Sequence, residues 1–398
     1  MRILTLTSLF PNGFQRDLGV FIYQRTLHLA QIAGNEVVVV APVPYFPSWL
    51  RIRRWETYSR VPRNELIGGL RVSHPRYPLL PGIFMPLHGW LMFLGCLNHV
   101  RKLHCQTRFD CIDAHYVYPD GFAAVLLGRA LGIPTFVSAR GTDINVFPQF
   151  RSIRPMIRWT LRCAAGLIAV SEAMTEHMLA LDANEGKIRV IPNGADVKRF
   201  HPMDRSEARK RLGIPEEGQI LVAVGALRAV KRHELLIHAV GRLVRKNPTL
   251  RLYVVGEGPL RSELEAQVEK TGLTGRVFLV GGRPNEELSL WFNAADLTCL
   301  ASASEGCPNV LVESIACGTP VVATKAGGIP EVVSSPELGR LVDGNPESLG
   351  EGIAAALGQS WDRTLLVRHA QQRDWLLVAQ EVQEFMRSQM EGASYRAK

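Results

Sequence analysis

Residues 219–259 read QILVAVGALRAVKRHELLIHAVGRLVRKNPTLRLYVVGEGP. The segment opens with an apolar strand and turn, ILVAVGAL. It passes through HELLIHAVGRLV, where apolar residues recur at helical spacing, and ends in a second strand and turn, LRLYVVGEGP. A helix between two short apolar strands is a βαβ unit, whose strands run parallel and are buried on both faces. The rhythm continues downstream. SELEAQVEKTG predicts a helix, and VFLVG, ADLTCLAS and TPVVATKAGG predict further strands or strand ends.

The same alternation fills the first half of the chain. Strands are predicted at Arg2–Thr7, Glu36–Ala41, Leu70–His74, Cys111–Ala114, Thr135–Ser138, Gly166–Val170 and Ile188–Ile191, with helical periodicity over Phe21–Ala33 and Gly121–Leu131. The fold class that follows is α/β, with two Rossmann-like domains in tandem. The link falls in IPNGADVKRFHPMDRSEARKRLG, where Pro192, Asn193, Gly194 and Pro202 interrupt regular structure. The predicted domains are 1–198 and 199–370, followed by a terminal helix at 371–390. Ligands of open α/β sheets bind outside the carboxyl ends of the strands, so two such domains facing each other predict a deep interdomain cleft.

Composition narrows the function classes. With 398 residues, 46% hydrophobic and 21% charged, the chain can build large cores and is not a disordered or low-complexity protein. A formal charge of +9 admits phosphorylated ligands, anionic lipid or nucleic acid without choosing among them. Seven scattered cysteines, with no Cys-x-x-Cys pair, point to a reduced, cytoplasmic compartment rather than a disulfide scaffold. The opening MRILTLTSLFPNG fits a buried strand and turn better than a signal peptide, because no small-residue cleavage site follows. Ile83–Val100 is the most apolar window, but Pro86, His88, Asn98 and His99 interrupt it; a core or interfacial helix is expected. Between Tyr45 and Pro86 the rhythm breaks, and Arg51, Arg53, Arg54, Arg60, Arg63, Arg71 and Arg76 interleave with Trp49, Trp55 and Tyr58. That pattern suits an anionic membrane surface or a plain solvated loop, and nucleic acid less well.

The densest chemistry lies in SEGCPNVLVESIACGTPVVATKAGGIPEVV, 304–333. Glu305 sits in a turn ahead of Gly306 and Pro308, and Glu313 lies eight residues on, about one turn into the following helix. Two carboxylates there can accept hydrogen bonds from sugar hydroxyls, and free N–H groups at the helix start can meet a diphosphate. A capped surface helix before a buried strand explains the same residues without any ligand.

The segment resembles the Glu-x7-Glu motif of the family 4 retaining glycosyltransferases, whose two-domain fold is called GT-B. The resemblance extends over nearly the whole chain. FPNGFQRDLGVFIYQRTLHLAQIAGNEVVVVAP looks like the first loop and helix of that family, HYVYPDGFAAVLLGRALGIPTFVSARGTDIN like the middle of its acceptor domain, and VIPNGAD like the passage into its donor domain. It implies transfer of a sugar from a nucleotide-diphosphate donor, UDP-sugar before GDP-sugar, with no metal and no resident cofactor. Glu305 would contact the transferred sugar and Glu313 the donor ribose, with Asn309 and Val310 opening the helix toward the donor. The family places an arginine directly after a glycine and a lysine about five residues on. Here Ala226 follows Gly225, Lys231 matches the lysine, Arg228 is the candidate substitute for the missing arginine, and Arg232 stands where glycine is common. Gly19 and Gly256 fall in turns expected near the donor, as do Gly258, Gly327 and Gly328. His115, at a strand end, would donate a hydrogen bond to a sugar hydroxyl. The catalytic candidates are thus His115, Glu305 and Lys231. Tyr116, Arg140 and Asp143 are the acceptor-side candidates, Asp143 either orienting an acceptor hydroxyl or holding a loop. Domain closure would bring His115 and the first loop toward Glu305 and Lys231.

The SARGTDI context resembles transferases of capsule, exopolysaccharide or teichuronic-acid assembly. With the basic aromatic stretch, it implies a saccharide or polyprenyl-linked acceptor, possible contact with the cytoplasmic face of the membrane, and no nucleic-acid partner. Rival readings are a sucrose- or trehalose-type synthase, a soluble small-acceptor transferase, a nonhydrolysing epimerase, and a noncatalytic nucleotide- or glycan-binding module. A dinucleotide dehydrogenase is disfavoured because no Gly-x-Gly-x-x-Gly follows either opening strand.

Overall fold

The run Glu36–Val40, EVVVV, shows how the first sheet forms: β-branched residues buried on both faces favour a central parallel strand. In the computed structural model, which describes residues 1–45, 56–79 and 85–396, the chain divides into two units. One comprises Met1–Pro192 with Trp375–Lys398; the other comprises Asn193–Asp374. Arg51, Arg53, Arg54, Trp49 and Trp55 of the basic aromatic stretch, and Ile83 of the apolar window, lie outside the described residues.

The first unit carries strands β1 (Arg2–Leu6), β2 (Glu36–Val40), β3 (Val43–Tyr45), β4 (Asn64–Ile67), β5 (Leu70–Ser73), β6 (Arg76–Pro78), β7 (Cys111–His115), β8 (Thr135–Ser138), β9 (Gly166–Ala169) and β10 (Ile188–Val190). Eight of them form one sheet in the order β10-β9-β8-β7-β1-β2-β5-β4, and β3 pairs with β6. Every pairing in the large sheet is parallel except β4 with β5, a hairpin that turns at Gly68–Gly69 and finishes the edge. This hairpin is where the predicted rhythm broke. β4 alternates exposed and half-buried residues, a pattern of edge strands rather than of the all-buried strands inside. The helix His88–Thr107 begins inside the apolar window; Gly89, Met92, Cys96 and Val100 face the core while Trp90 and Leu94 are exposed. Among the described residues, no helix is long and apolar enough to cross a membrane.

The second unit carries β11 (Ile220–Val224), β12 (Arg251–Val255), β13 (Val277–Gly281), β14 (Leu297–Leu300), β15 (Val321–Thr324) and β16 (Gly339–Val342), all parallel, in the order β13-β12-β11-β14-β15-β16. Its two faces are covered by separate apolar clusters, one around Trp291, Phe292 and Ile315, the other around Leu236, Ile237 and Ile353. The passage segments lie side by side: Ala195 pairs with Asp374, and the Ala195 amide donates to the Arg373 carbonyl at 3.0 Å. The final helix, Trp375–Arg396, belongs to the first unit, where Trp375, Val378, Val382, Phe385 and Met386 pack with Ile3, Ile22 and Phe136. All seven cysteines are free thiols.

Candidate active site

In each of the two large sheets the chain winds outward both ways from one central pair of strands. In the second unit β11 leads outward through β12 and β13, and β14 leads the other way through β15 and β16. A crevice opens outside the carboxyl ends at such a switch point, here between β11 and β14. The residues after these strands supply the central pair of the site. Ala229–Lys231 form a short helical turn after β11, and the Ala303 amide donates to the Val230 carbonyl at 2.8 Å, tying that turn to the loop after β14. Lys231 Nζ thereby reaches Glu305 Oε1 at 2.5 Å, and Ser302 Oγ donates to the same oxygen at 2.6 Å. The pair is partly open to solvent, with side-chain exposures of 22% for Lys231 and 13% for Glu305.

The loop after β15 braces Glu305 from behind. Gly328 N–H donates to the Glu305 carbonyl at 3.1 Å. Gly327 sits at φ 52, where an added Cβ would lie 2.1 Å from that carbonyl oxygen, so the turn needs glycine twice over. Gly256 ends β12 beside the Gly225 turn, its amide donating to the Gly281 carbonyl at 2.9 Å. Arg228 is exposed and has no side-chain partner among the described residues. Arg232 adopts φ 51, a left-handed position that favours glycine, and its guanidinium bonds the Gly344 carbonyl at 2.6 Å. The helix Asn309–Ala316 starts after Pro308; Asn309 Oδ1 accepts from Asn193 Nδ2 at 2.9 Å, and Val310 is half-buried. Glu313 lies one turn in. Burial pushes its carboxyl up to about 7, with Arg199 opposing and Asp196 adding to the shift.

The first unit reverses between β1 and β7. Ser8, just past β1, donates from its amide and, at 3.2 Å, from its hydroxyl to Asp120, so the two loops at this switch point are joined. Burial pushes Asp120 up to about 7. His115 ends β7 and is fully buried. Its Nδ1 accepts from Arg140 Nη2 at 2.5 Å, and its Nε2 lies 3.2 Å from Asp113 Oδ2. Burial, then the neighbouring Arg25, pushes the imidazole down to about 3, so the ring is neutral at pH 7. Nε2 also faces Arg25 Nη2 at 3.0 Å, so it stands between the guanidinium and the carboxylate. Both ring nitrogens are therefore engaged.

Behind His115 stands a buried ion pair. Arg25 Nη2 donates to both Asp113 oxygens at 2.7 and 2.8 Å, and Nη1 donates to Ser138 Oγ at 2.9 Å. Burial alone would raise Asp113; Arg25 and His115 overcome it and hold the carboxyl far below its ordinary value. Arg140 packs its guanidinium 5.4 Å from the centre of the Phe21 ring. Asp143 is buried and spends its oxygens on backbone: Val117 N–H at 2.7 Å, Gly141 N–H at 2.8 Å and Arg140 N–H at 3.0 Å. Those are the contacts of a residue that holds two turns together. Tyr116 takes φ 82 and sets its ring edge-on to Phe147. Gly19 precedes the helix Val20–Gln31 at φ 64, with the Leu9 carbonyl oxygen only 2.2 Å from where a Cβ would stand. Among the described residues, no cluster of three or more His, Cys, Asp and Glu side chains is disposed to hold a metal ion.

Sequence reasoning missed Arg25, Asp113, Asp120 and Ser302. A signal for the first two exists: Arg25 shares the face of Ile22, Thr26 and Leu29, and Asp113 sits inside an otherwise apolar strand. A charge on a buried face demands a partner.

Residues 18–199 match Glycosyltransferase Family 4, and residues 204–373 match Glycosyl transferases group 1. A D-inositol 3-phosphate glycosyltransferase of Acidothermus cellulolyticus is 34% identical over 341 residues, 79% of this chain and 75% of its own. This chain belongs to the GT-B glycosyltransferases. The glycosyltransferase is also 28% identical over 359 residues to a Bacillus subtilis protein, TuaC, named for teichuronic acid biosynthesis, covering 89% of this chain and 88% of that one. Among solved structures, Anabaena HepE in complex with UDP-glucose superposes with a TM-score of 0.72 at 21% identity, over 98% of this glycosyltransferase and all of HepE.

Proposed function

We propose that this glycosyltransferase moves a hexose from a UDP-sugar to a saccharide or polyprenyl-linked saccharide acceptor in cell-surface polysaccharide synthesis, with retention of anomeric configuration. The observation that supports the reading best is the Lys231–Glu305 pair at the switch point of the second unit. An ammonium held by a carboxylate in a half-open crevice is ready to exchange that carboxylate for a phosphate oxygen. Glu305 is then free to accept from a hydroxyl of the sugar being transferred, and Glu313 from the ribose. HepE, a solved structure of the same fold, binds UDP-glucose, which supports UDP as the nucleotide. The name of TuaC supports an acceptor in surface polysaccharide, and hence work at the cytoplasmic face of the membrane.

In this reading the bond between the anomeric carbon and the phosphate oxygen breaks and the acceptor oxygen bonds the same face of that carbon. The acceptor proton passes to the leaving phosphate, giving UDP and the glycoside. Lys231 stabilises the charge that gathers on the phosphate. Arg228, exposed on the turn before Lys231, supplies the second cation. No metal takes part. A sugar hydroxyl that reaches His115 donates to Nδ1 in place of Arg140.

Calorimetric titration with UDP, GDP and ADP in the presence of EDTA tests the donor, and selective binding of UDP is expected. Preference for GDP or ADP overturns the donor assignment, and binding of none overturns the donor site. Proton NMR of the product from an α-linked UDP-sugar tests retention; a β-linked product overturns it.

A further inference from the structure

Where the β4–β5 edge hairpin and the start of β6 meet the helix His88–Thr107, the first unit has a surface cavity of about 500 Å³. Three cations line it: Arg63 at the start of the hairpin, Arg76 at the start of β6, and Lys102 on the helix. Asn64 and Asn98 add exposed amides, and His99 is fixed by a 2.8 Å contact between its Nε2 and Ser73 Oγ. Among the described residues, no carboxylate lines the cavity or pairs with Arg63, Arg76 or Lys102. The carboxylate on β4, Glu65, is already engaged by His74 Nε2 at 3.0 Å and by the Gly13 amide at 3.0 Å. Arg76 is held in place by the Val61 carbonyl. Burial, and then the proximity of Arg63, make its charge harder to keep.

Three gathered cations with no counter-charge among the described residues repel one another, and an anion seated among them removes that repulsion. Guanidinium and ammonium groups with flanking amides are the donors that phosphate oxygens accept from. The volume exceeds that of a bare phosphate and lies in the range of small-molecule sites. None of these residues takes part in the His115 network or in the donor loops of the second unit. We propose that this cavity is a second anion site, which takes a phosphate or diphosphate group carried on a larger ligand. The proposal does not depend on the transfer reading above.

The test is calorimetric titration of the full chain with inorganic pyrophosphate at 150 mM salt, using wild type, Lys231→Ala and the double variant Arg63→Gln/Lys102→Gln. The two positions of the double variant are exposed, and its melting temperature verifies the fold. Saturable binding that survives Lys231→Ala and weakens at least tenfold in the double variant is the expected result. No saturable binding to Lys231→Ala, or equal affinity in the double variant, overturns the site. Co-sedimentation with phosphatidylglycerol and with phosphatidylcholine vesicles then separates the sources. Phosphatidylglycerol binding that is lost in the double variant assigns the phosphate to a lipid headgroup. Pyrophosphate binding with vesicle binding unaffected assigns it to a soluble phosphorylated ligand.

Discussion

The two units place charge at their switch points in opposite ways. In the first, Arg25, Asp113 and His115 are sealed from water and bond one another, with Arg25 Nε left unpaired among the described residues. In the second, Lys231 and Glu305 meet partly open to solvent, with Ser302 adding to the pair. A sealed network costs desolvation and returns a fixed geometry, so its members suit positioning. An open pair costs little to separate and suits a site where a ligand takes one partner's place. The same fold, repeated, thus supplies one rigid rim and one exchangeable one.

The sharpest way to break this comparison is Asp113→Ala. It leaves the Arg25 guanidinium buried without its carboxylate, and a loss of about 3–5 kcal/mol in unfolding free energy is expected by urea denaturation. Arg25→Met/Asp113→Leu, which removes both charges, should recover most of that loss. A single variant within about 0.5 kcal/mol of wild type means that Arg25 finds another partner and the network is not rigid. Next comes Glu305→Gln. Transfer from UDP-glucose should fall about a hundredfold or more, the scale of one preorganised contact to a reacting group, while the melting temperature stays close to wild type. Normal turnover by a folded variant removes Glu305 from contact with the transferred sugar.

Glu313 gives a pH-dependent contrast. Its folded carboxyl titrates at about 7 against an ordinary 4.5. Between those values the folded state binds the proton that the unfolded state has released, so this group's contribution to stability falls as pH rises. The slope approaches about 1.4 kcal/mol per pH unit within the window. Glu313→Gln removes this contribution. Relative to wild type, the variant should gain stability from pH 4.5 to about 7 and gain no more above it. Asp120, also raised to about 7, keeps its own slope in both proteins. Parallel stability curves for the two proteins would show that Glu313 is ionised throughout.

How much was legible in the sequence follows the range over which each feature acts. Thr135–Ser138 and Val321–Thr324 read directly as buried strands because a β-branched apolar run carries its own signal. Lys231, Glu305 and Glu313 stand out as candidates because their neighbours form a linear pattern. Arg25 and Asp113, 88 residues apart, share no linear pattern, and only their placement on buried faces betrays them. β16, Gly339–Val342, escaped because a four-residue edge strand with an exposed arginine has little periodicity to read. The family's glycine at position 232 also finds its reason only in the structure, where Arg232 carries a left-handed backbone.

The smallest effect is expected from Lys231→Met on stability. The pair it breaks is partly solvated, and Glu305 keeps the Ser302 hydroxyl at 2.6 Å and the brace of Gly328 on its backbone. Loss of the ammonium should therefore cost less than about 1 kcal/mol in unfolding free energy. The apolar methionine stem still packs near Gly225, where the lysine chain now lies. Affinity for UDP, measured by calorimetry on the same variant, should nonetheless fall at least tenfold, because the phosphate loses its nearest cation. A stability loss as large as that of Asp113→Ala would make the Lys231–Glu305 pair a structural bond like the one in the first unit. The contrast between a sealed rim and an exchangeable one would then collapse.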